Sequence, residues 1–287
     1  MVELLSHASR TDLAGLLEQD PVANLFLLGR MRCQDMTRAP WFGIRRGGAL
    51  VAAALVVPER LAVPWAPVAD DAGEIGLHLR GLAHVAGMVI GPRDACDALW
   101  AGWAPGTPRL WYDQRLYVQD TPPAGERVDG FRVAKMRDLT SLIHASARME
   151  EEDLGRNPLD VDPVGHEAAT RERIRSGRTW VIERDGQLVF HIHAGTWIAD
   201  GCQVGGTYVS PAHRGRGIGA AGMRELGRVL LARTADGRHP DDPEHPAPAR
   251  ITLHVNEANT PAIRTYETAG YRRAHAFRLA AAHLESY

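Results

Sequence analysis

The sequence of 287 residues is poor in several things, and each shortage narrows what the protein can be. Lysine is almost missing: Lys135 stands alone, and the other basic residues are arginine, which leaves little for self-acylation. Neither sign of charge dominates, with 33 Lys and Arg against 35 Asp and Glu, so the basic stripe expected of a nucleic-acid binder is missing. Cysteine is limited to Cys33, Cys96 and Cys202, odd in number and scattered. No disulfide framework or CxxC pair can be drawn from them, and a reducing cytoplasm is the expected location. Long apolar runs are lacking too. The longest, Ala49 to Val57, is far too short to span a bilayer, and the start, with Glu3 and Arg10, lacks the apolar core of a signal peptide. No sequence repeat is visible.

What remains is ordinary globular composition: 45% hydrophobic and 24% charged residues, enough for a sizeable core. The length suits two domains. A stretch rich in Pro, Gly and charge, QDTPPAGERVDG over 119–130, reads as the linker, which gives an N-terminal α/β domain over 1–125 and a second over 126–287.

The first half mixes helix and strand. Thr11-Asp12 caps a helix to about Gln19, and Asp20-Pro21 opens another. Strands are expected at Trp41–Arg45, Ala49–Val57, Val85–Ile90 and Leu110–Val118, with a helix opening at Pro92. No catalytic constellation stands out there.

The second half is more legible. Helices are expected over Leu139–Glu152 and Gly165–Ser176. Strands follow at Thr179–Arg184, Leu188–Ile198 and Gln203–Val209, with a hairpin turn at Asp185-Gly186. A long helix runs from about Gly219 to Arg233, and the stretch ADGRHPDDPEHPAPA reads as an exposed loop carrying His239 and His245. A strand at 251–255, a helix from Thr260 to Ala269 and a last strand near Tyr271–Leu279 complete the order.

The strongest chemical signal is the joint between strand and helix, GTYVSPAHRGRGIGAAGM (206–223). Glycines at alternate positions let successive N–H groups turn into one concavity. The opening helix adds unsatisfied N–H groups and its positive dipole end, which suits a pyrophosphate. Arg214 and Arg216 add charge. A ligand-free glycine turn fits the same residues. So, more distantly, does a dinucleotide fingerprint on Gly215, Gly217 and Ala220, whereas a Walker A loop is excluded because no GK[ST] follows.

A second segment, LHVNEANTPAIRTYETAGY (253–271), decides between these readings. Together with V-x-P-x-x-R-G-x-G-I-G upstream, it resembles the GNAT superfamily of acyl-CoA-dependent N-acyltransferases over roughly residues 130–280. Arg214, Gly217 and Gly219 match the family's R/Q-x-x-G-x-G/A pyrophosphate motif. Val255, Asn256, Asn259, Ala262, Tyr266, Gly270 and Tyr271 match its downstream hallmark. More narrowly, the chain resembles two-domain members, with MEEEDLGRNP (149–158) similar to an acidic element of theirs. The N-terminal half is a looser match, read as a degenerate acyltransferase fold.

The resemblance implies an α/β (α+β) GNAT fold: a mixed, mostly antiparallel sheet with a splayed strand pair. It implies acetyl-CoA or another short acyl-CoA, attacked directly by an amine in a ternary complex. Arg214, Gly215, Arg216, Gly217, Ile218 and Gly219 would hold the pyrophosphate. Tyr208 and Val209 would give main-chain contacts to the pantetheine, with Asn256 and Asn259 near the same arm. The two Asn side chains suit helix capping equally well. Tyr266 matches the family's general acid, although it also suits an amphipathic helix packing on the sheet.

The general base is open. Gln203 stands near the place where many members carry Glu. Glu152, beside Asp153, and His193, two residues from His191 on one strand face, are the substitutes. Glu152 fits a solvated charge cluster and His193 a half-buried strand residue just as well, and water can also take the proton. His191-x-His193 with His254 has ligand-like spacing, but no third ligand is fixed, so no metal is expected. The acceptor would be a small-molecule or peptide amine, and a homodimer is compatible with the chain. The rival reading is a non-catalytic protein that binds or senses acyl-CoA.

Overall fold

A computed structural model describes residues 1–33, 39–58, 60–82, 87–232, 238–239 and 242–282. Contacts divide the chain into two compact units. The first is Met1–Tyr117 with His254–Thr260 and the stretch from Arg273 onward; the second is Val118–Leu253 with Pro261–Arg272. Two stretches beyond residue 126 thus group with the first unit.

The first unit runs β1 (Val2–Leu4), α1 (Arg10–Leu17), α2 (Leu25–Cys33), β2 (Trp41–Arg46), β3 (Ala49–Val57), β4 (Leu61–Trp65), α3 (Ala69–Arg80), β5 (Met88–Pro92), α4 (Arg93–Trp103) and most of β6 (Leu110–Gln119). β1 to β4 pair antiparallel in chain order, and β5 lies parallel to β4 with Ala62 opposite Val89. Ile44, Ala52, Ile75, Val89 and Leu99 are fully buried in its core.

The second unit runs β7 (Phe131–Val133), α5 (Leu139–Leu154), α6 (Pro158–Val161), α7 (Pro163–Arg175), β8 (Thr179–Arg184), β9 (Gln187–Ile198), β10 (Gly201–Val209), α8 (Ile218–Leu230), the ribbon β11 (Arg238–His239) and β12 (Asp242–Pro246), β13 (Ile251–Asn256) and α9 (Thr260–Thr268). β7 to β10 are antiparallel neighbours, and β13 lies parallel to β10. Asp185 and Gly186 both take positive φ in the β8–β9 turn, as a two-residue hairpin requires. The last strand, β14 (Arg272–Ala281), returns to the first unit and pairs antiparallel with β5, from Phe277 opposite Pro92 to Ala281 opposite Met88.

Apart from the short α6 and the ribbon, the two halves repeat one order of elements: strand, helices, three strands, helix, strand, helix, strand. In both, the fourth and fifth strands are the parallel pair. The fold is thus mixed α/β with mostly antiparallel strands.

The stretch 119–130, read as the linker, groups with the second unit, and two other expectations need correction. Arg228 donates to the carbonyls of Gly125 and Glu126, Val128 N–H donates to Glu225, and the Gln119 side chain is buried. His239 is not in an exposed loop but in β11, 2% exposed, its Nε2 2.7 Å from the Val229 carbonyl and its ring edge-on to Trp197. The side chain of His245 lies outside the described residues. In the first half, β4 and α3 occupy a stretch where no element was expected.

Candidate active site

β10 and the joint that follows it organise the site. β10 pairs with β13 at its start, Cys202 opposite Ile251 and Gln203 opposite Thr252. Against β9 it carries an irregularity between Gly205, opposite His193, and Tyr208, opposite His191. A bulge of this kind bends a strand and frees backbone groups from the ladder. Gly206 sits inside it with φ +68°, and a Cβ there would fall 2.7 Å from His193 Nδ1.

After Val209, Pro211–His213 make one short turn of helix, pinned by Ser210 Oγ at 2.8 Å from His213 Nδ1. Gly215 and Gly217 take φ of +73° and +76°, conformations that favour glycine, and a Cβ on either would point into open space. Gly217 caps α8 without any side-chain hydrogen bond to its first turn. The first N–H groups of α8 therefore have no side-chain cap. Gly219 is needed for packing: its Cβ would meet Thr265 Cγ2 at 3.0 Å and Val209 Cγ2 at 3.3 Å. The joint thus places the exposed Arg214, Gly215, Arg216 and Gly217 beside Val209 and the buried Ile218 and Gly219 at the start of α8.

Arg214 is already engaged. Its Nε donates to the Val209 carbonyl at 3.0 Å, and its Nη2 reaches both oxygens of Glu152, at 2.7 and 3.0 Å. Its guanidinium lies over the Tyr208 ring, 5.4 Å from the centroid. Glu152, near the end of α5, thus faces the cradle as the ionic partner of Arg214. Burial raises the pKa of its neighbour Asp153, with the Glu152 charge adding to the effect. The Arg216 side chain makes no hydrogen bond or ion pair among the described residues and is exposed.

Tyr266 projects from α9 and is 7% exposed. Burial raises its pKa; a hydrogen bond with the Thr207 side chain works in the opposite direction, and the Asp153 charge adds to the rise. Asn256 and Asn259 lie in the stretch grouped with the first unit. Asn256 Oδ1 accepts from Ala258 N–H at 2.9 Å, and its carbonyl accepts from Asn259 N–H, which shapes the turn feeding α9.

His191 and His193 lie under α5 and α7. With Ser146, Thr179, Arg173 and Gly206 they help line a cavity of about 20 Å³, room for about one water. Burial lowers the pKa of His191 to about 3, with His193 contributing, and that of His193 to about 4, with Arg173 contributing. Both rings are neutral at pH 7. His191 Nε2 has no hydrogen-bond partner among the described residues, and its ring lies 5.5 Å from that of Tyr208. No group of three His, Cys, Asp or Glu placed to hold a metal occurs among the described residues, and no helix there is long and apolar enough to cross a membrane.

Sequence reasoning missed Thr207. Nothing in the sequence announced that its hydroxyl acts on Tyr266, because the two lie 59 residues apart in the chain.

An uncapped glycine joint thus leads from the fourth strand into a helix, beside a parallel fourth and fifth strand. Residues 175–273 match the family model of the acetyltransferase (GNAT) domain. A search of the curated proteins finds no match. Among solved structures, the chain is similar to a GNAT-family acetyltransferase from Colwellia psychrerythraea at 13% identity, covering 98% of this chain and 99% of that one, TM-score 0.59. It is similar to a GCN5-related N-acetyltransferase from Sphaerobacter thermophilus at 18% identity, covering 98% and 94%, TM-score 0.59. It is also similar to a tandem GNAT protein from the clavulanic acid biosynthesis pathway at 16% identity, covering 100% and 99%, TM-score 0.54. These likenesses extend the fold over the whole chain.

Proposed function

We propose that the protein transfers an acetyl or other short acyl group from CoA to an amine, small-molecule or peptide, in the second unit. The observation that carries this reading is the α8 cradle: positive-φ glycines, a helix start without a side-chain cap, and arginines beside it. These features fit a pyrophosphate, whose charge would meet the N–H groups and dipole of α8. Bound acyl-CoA would supply an activated thioester.

In this reading the chain's own residues position the reactants and manage protons. The bulged β10 offers main-chain groups of Tyr208 and Val209 to the cofactor arm, and an N–H there to a developing oxyanion. Tyr266 donates its proton to the leaving sulfur, and burial, which keeps the phenol protonated, suits that task. For the amine proton, Glu152 and His193 compete. Glu152 is held by Arg214, whereas His193 is neutral and lies beside the bulge.

Free-thiol release from acetyl-CoA with a panel of primary amines tests the reading, and no release above the rate without amine would sink it. The pairing of Glu152 and the weak basicity of His193 favour a second reading, an acyl-CoA-binding protein without turnover. Tight CoA binding without amine-dependent release would establish that one.

A further inference from the structure

We infer that Glu152 competes with the pyrophosphate for Arg214, so that CoA binds by exchanging one anion of the joint for another. The inference rests on the CoA reading proposed above. The joint over 206–223 has no acidic residue of its own. Its carboxylate comes from α5, 62 residues earlier in the chain. α5 passes the bulge, with Met149 lining the same cavity as His193 and Gly206, and Glu152 follows Met149 by about one turn. There both Glu152 oxygens face Arg214 Nη2, at 2.7 and 3.0 Å. Glu152 is poorly placed for its own helix. The last turn of α5 holds no basic residue, while Glu150, Glu151, Glu152 and Asp153 crowd the end where the dipole is negative. Arg214 is the cation that offsets this at Glu152.

The contacts of Arg214 leave it ill-suited to take a phosphate as well. Its Nε is given to the Val209 carbonyl, and the guanidinium lies over the Tyr208 ring. An arginine grips a phosphate most firmly through two parallel N–H groups. A guanidinium offers two such pairs, Nε with Nη2 and Nη1 with Nη2. Nη2 belongs to both, and it is the nitrogen that Glu152 holds. A pyrophosphate therefore meets Arg214 fully only when the carboxylate withdraws. The two side chains are 45% and 42% exposed, and an ion pair so well solvated is worth about fivefold at most in an equilibrium. A pyrophosphate carries more charge than a carboxylate and also meets the first N–H groups of α8, so it wins Arg214 at that cost. Glu152 thus lowers the affinity for CoA without abolishing it.

Calorimetry of CoA with the full chain tests this as a double-mutant cycle. Glu152→Gln keeps the size of the side chain and removes its charge. It is expected to tighten CoA binding about three- to fivefold, and Glu152→Ala should do the same. In an Arg214→Gln background, where no cation is left to compete for, Glu152→Gln should gain little or nothing. CoA binding that is unchanged or weaker in Glu152→Gln overturns the inference; weaker binding would make Glu152 a support for Arg214 instead. An equal gain in both backgrounds overturns it too, because Glu152 would then act through its charge alone and not through Arg214. Each of these results leaves the CoA reading standing. If neither the wild type nor Glu152→Gln binds CoA, that reading falls, and the competition with it.

Discussion

The two units join their fourth strand to the following helix at equivalent places in the repeated order, with opposite electrostatics. In the second unit, β10 leads through Arg214, Gly215, Arg216 and Gly217 into α8, whose first turn has no acidic residue. In the first, β4 leads through Ala66, Pro67 and Val68 into α3, whose first turn holds Asp70 and Asp71. That joint lacks glycine, and Arg46 is spent on Asp71 and Glu74. Both helices start without a side-chain cap, so both expose N–H groups. Two carboxylates at a helix start already complement the dipole and repel a phosphate. The fold supplies the helix end in both units, and the joint sequence decides whether an anion can use it.

Reversing the decisive glycine should have the largest effect. Gly217→Glu puts a side chain at φ +76° and a negative charge in the cradle. It should weaken CoA more than about 100-fold by calorimetry, the equivalent of about 3 kcal/mol, with circular dichroism unchanged. Wild-type protein should bind one CoA per chain, and a stoichiometry of two would end the contrast between the joints.

Next comes the chemistry. Tyr266→Phe should lower kcat by about 10²-fold or more while acetyl-CoA affinity holds, as expected when a general acid is removed.

A smaller effect, on stability alone, is expected in the first unit. A Cβ at Gly76 of α3 would lie 2.2 Å from the Leu99 carbonyl of α4. Gly76→Ala should cost about 1–3 kcal/mol in urea unfolding, as overpacking does, and leave CoA affinity alone. Weakened CoA binding would show that the first unit shapes the site.

The mildest effects are in pH. His191, His193 and His254 have folded pKa values lowered to about 3, 4 and 4. The unfolded chain takes up their protons first, near pH 6.5, so stability should be flat above that and fall as pH drops toward 4. The slope is about 1.4 kcal/mol per pH unit for each histidine involved. If His193 accepts the amine proton, His193→Gln should remove an ionisation near pH 4 from kcat/KM. An unperturbed histidine would instead give a step near pH 6.5. An unchanged profile would rule His193 out.

Much of the second unit was legible because its signals are local. Asp185-Gly186 marked the β8–β9 turn, and glycine spacing marked the cradle. The first unit hid β4 and α3 for a tertiary reason. β4 carries Pro64, which removes a ladder donor. α3 carries Gly73 and Gly76, which lower helix propensity. Those glycines are there because α3 and α4 touch backbone to backbone, a Cβ on Gly102 meeting the Gly73 carbonyl at 2.2 Å. Propensity sees the cost of such residues and not the contact that needs them. In the site, Glu152 was visible as a carboxylate, but its pairing with Arg214, 62 residues away, was not.

The return of β14 to the first unit also bears on how the protein is made. A ribosome releases residues 1–117 long before residues 273–281, so β5 waits for its neighbour until the second unit has been synthesised. During that interval the fifth strand has an open edge of Met88 to Pro92, the kind of surface on which nascent chains misassociate. Completion of the first unit is therefore a late event in synthesis, and slowing translation near the 3′ end of the message should lengthen the time the newborn chain depends on chaperones.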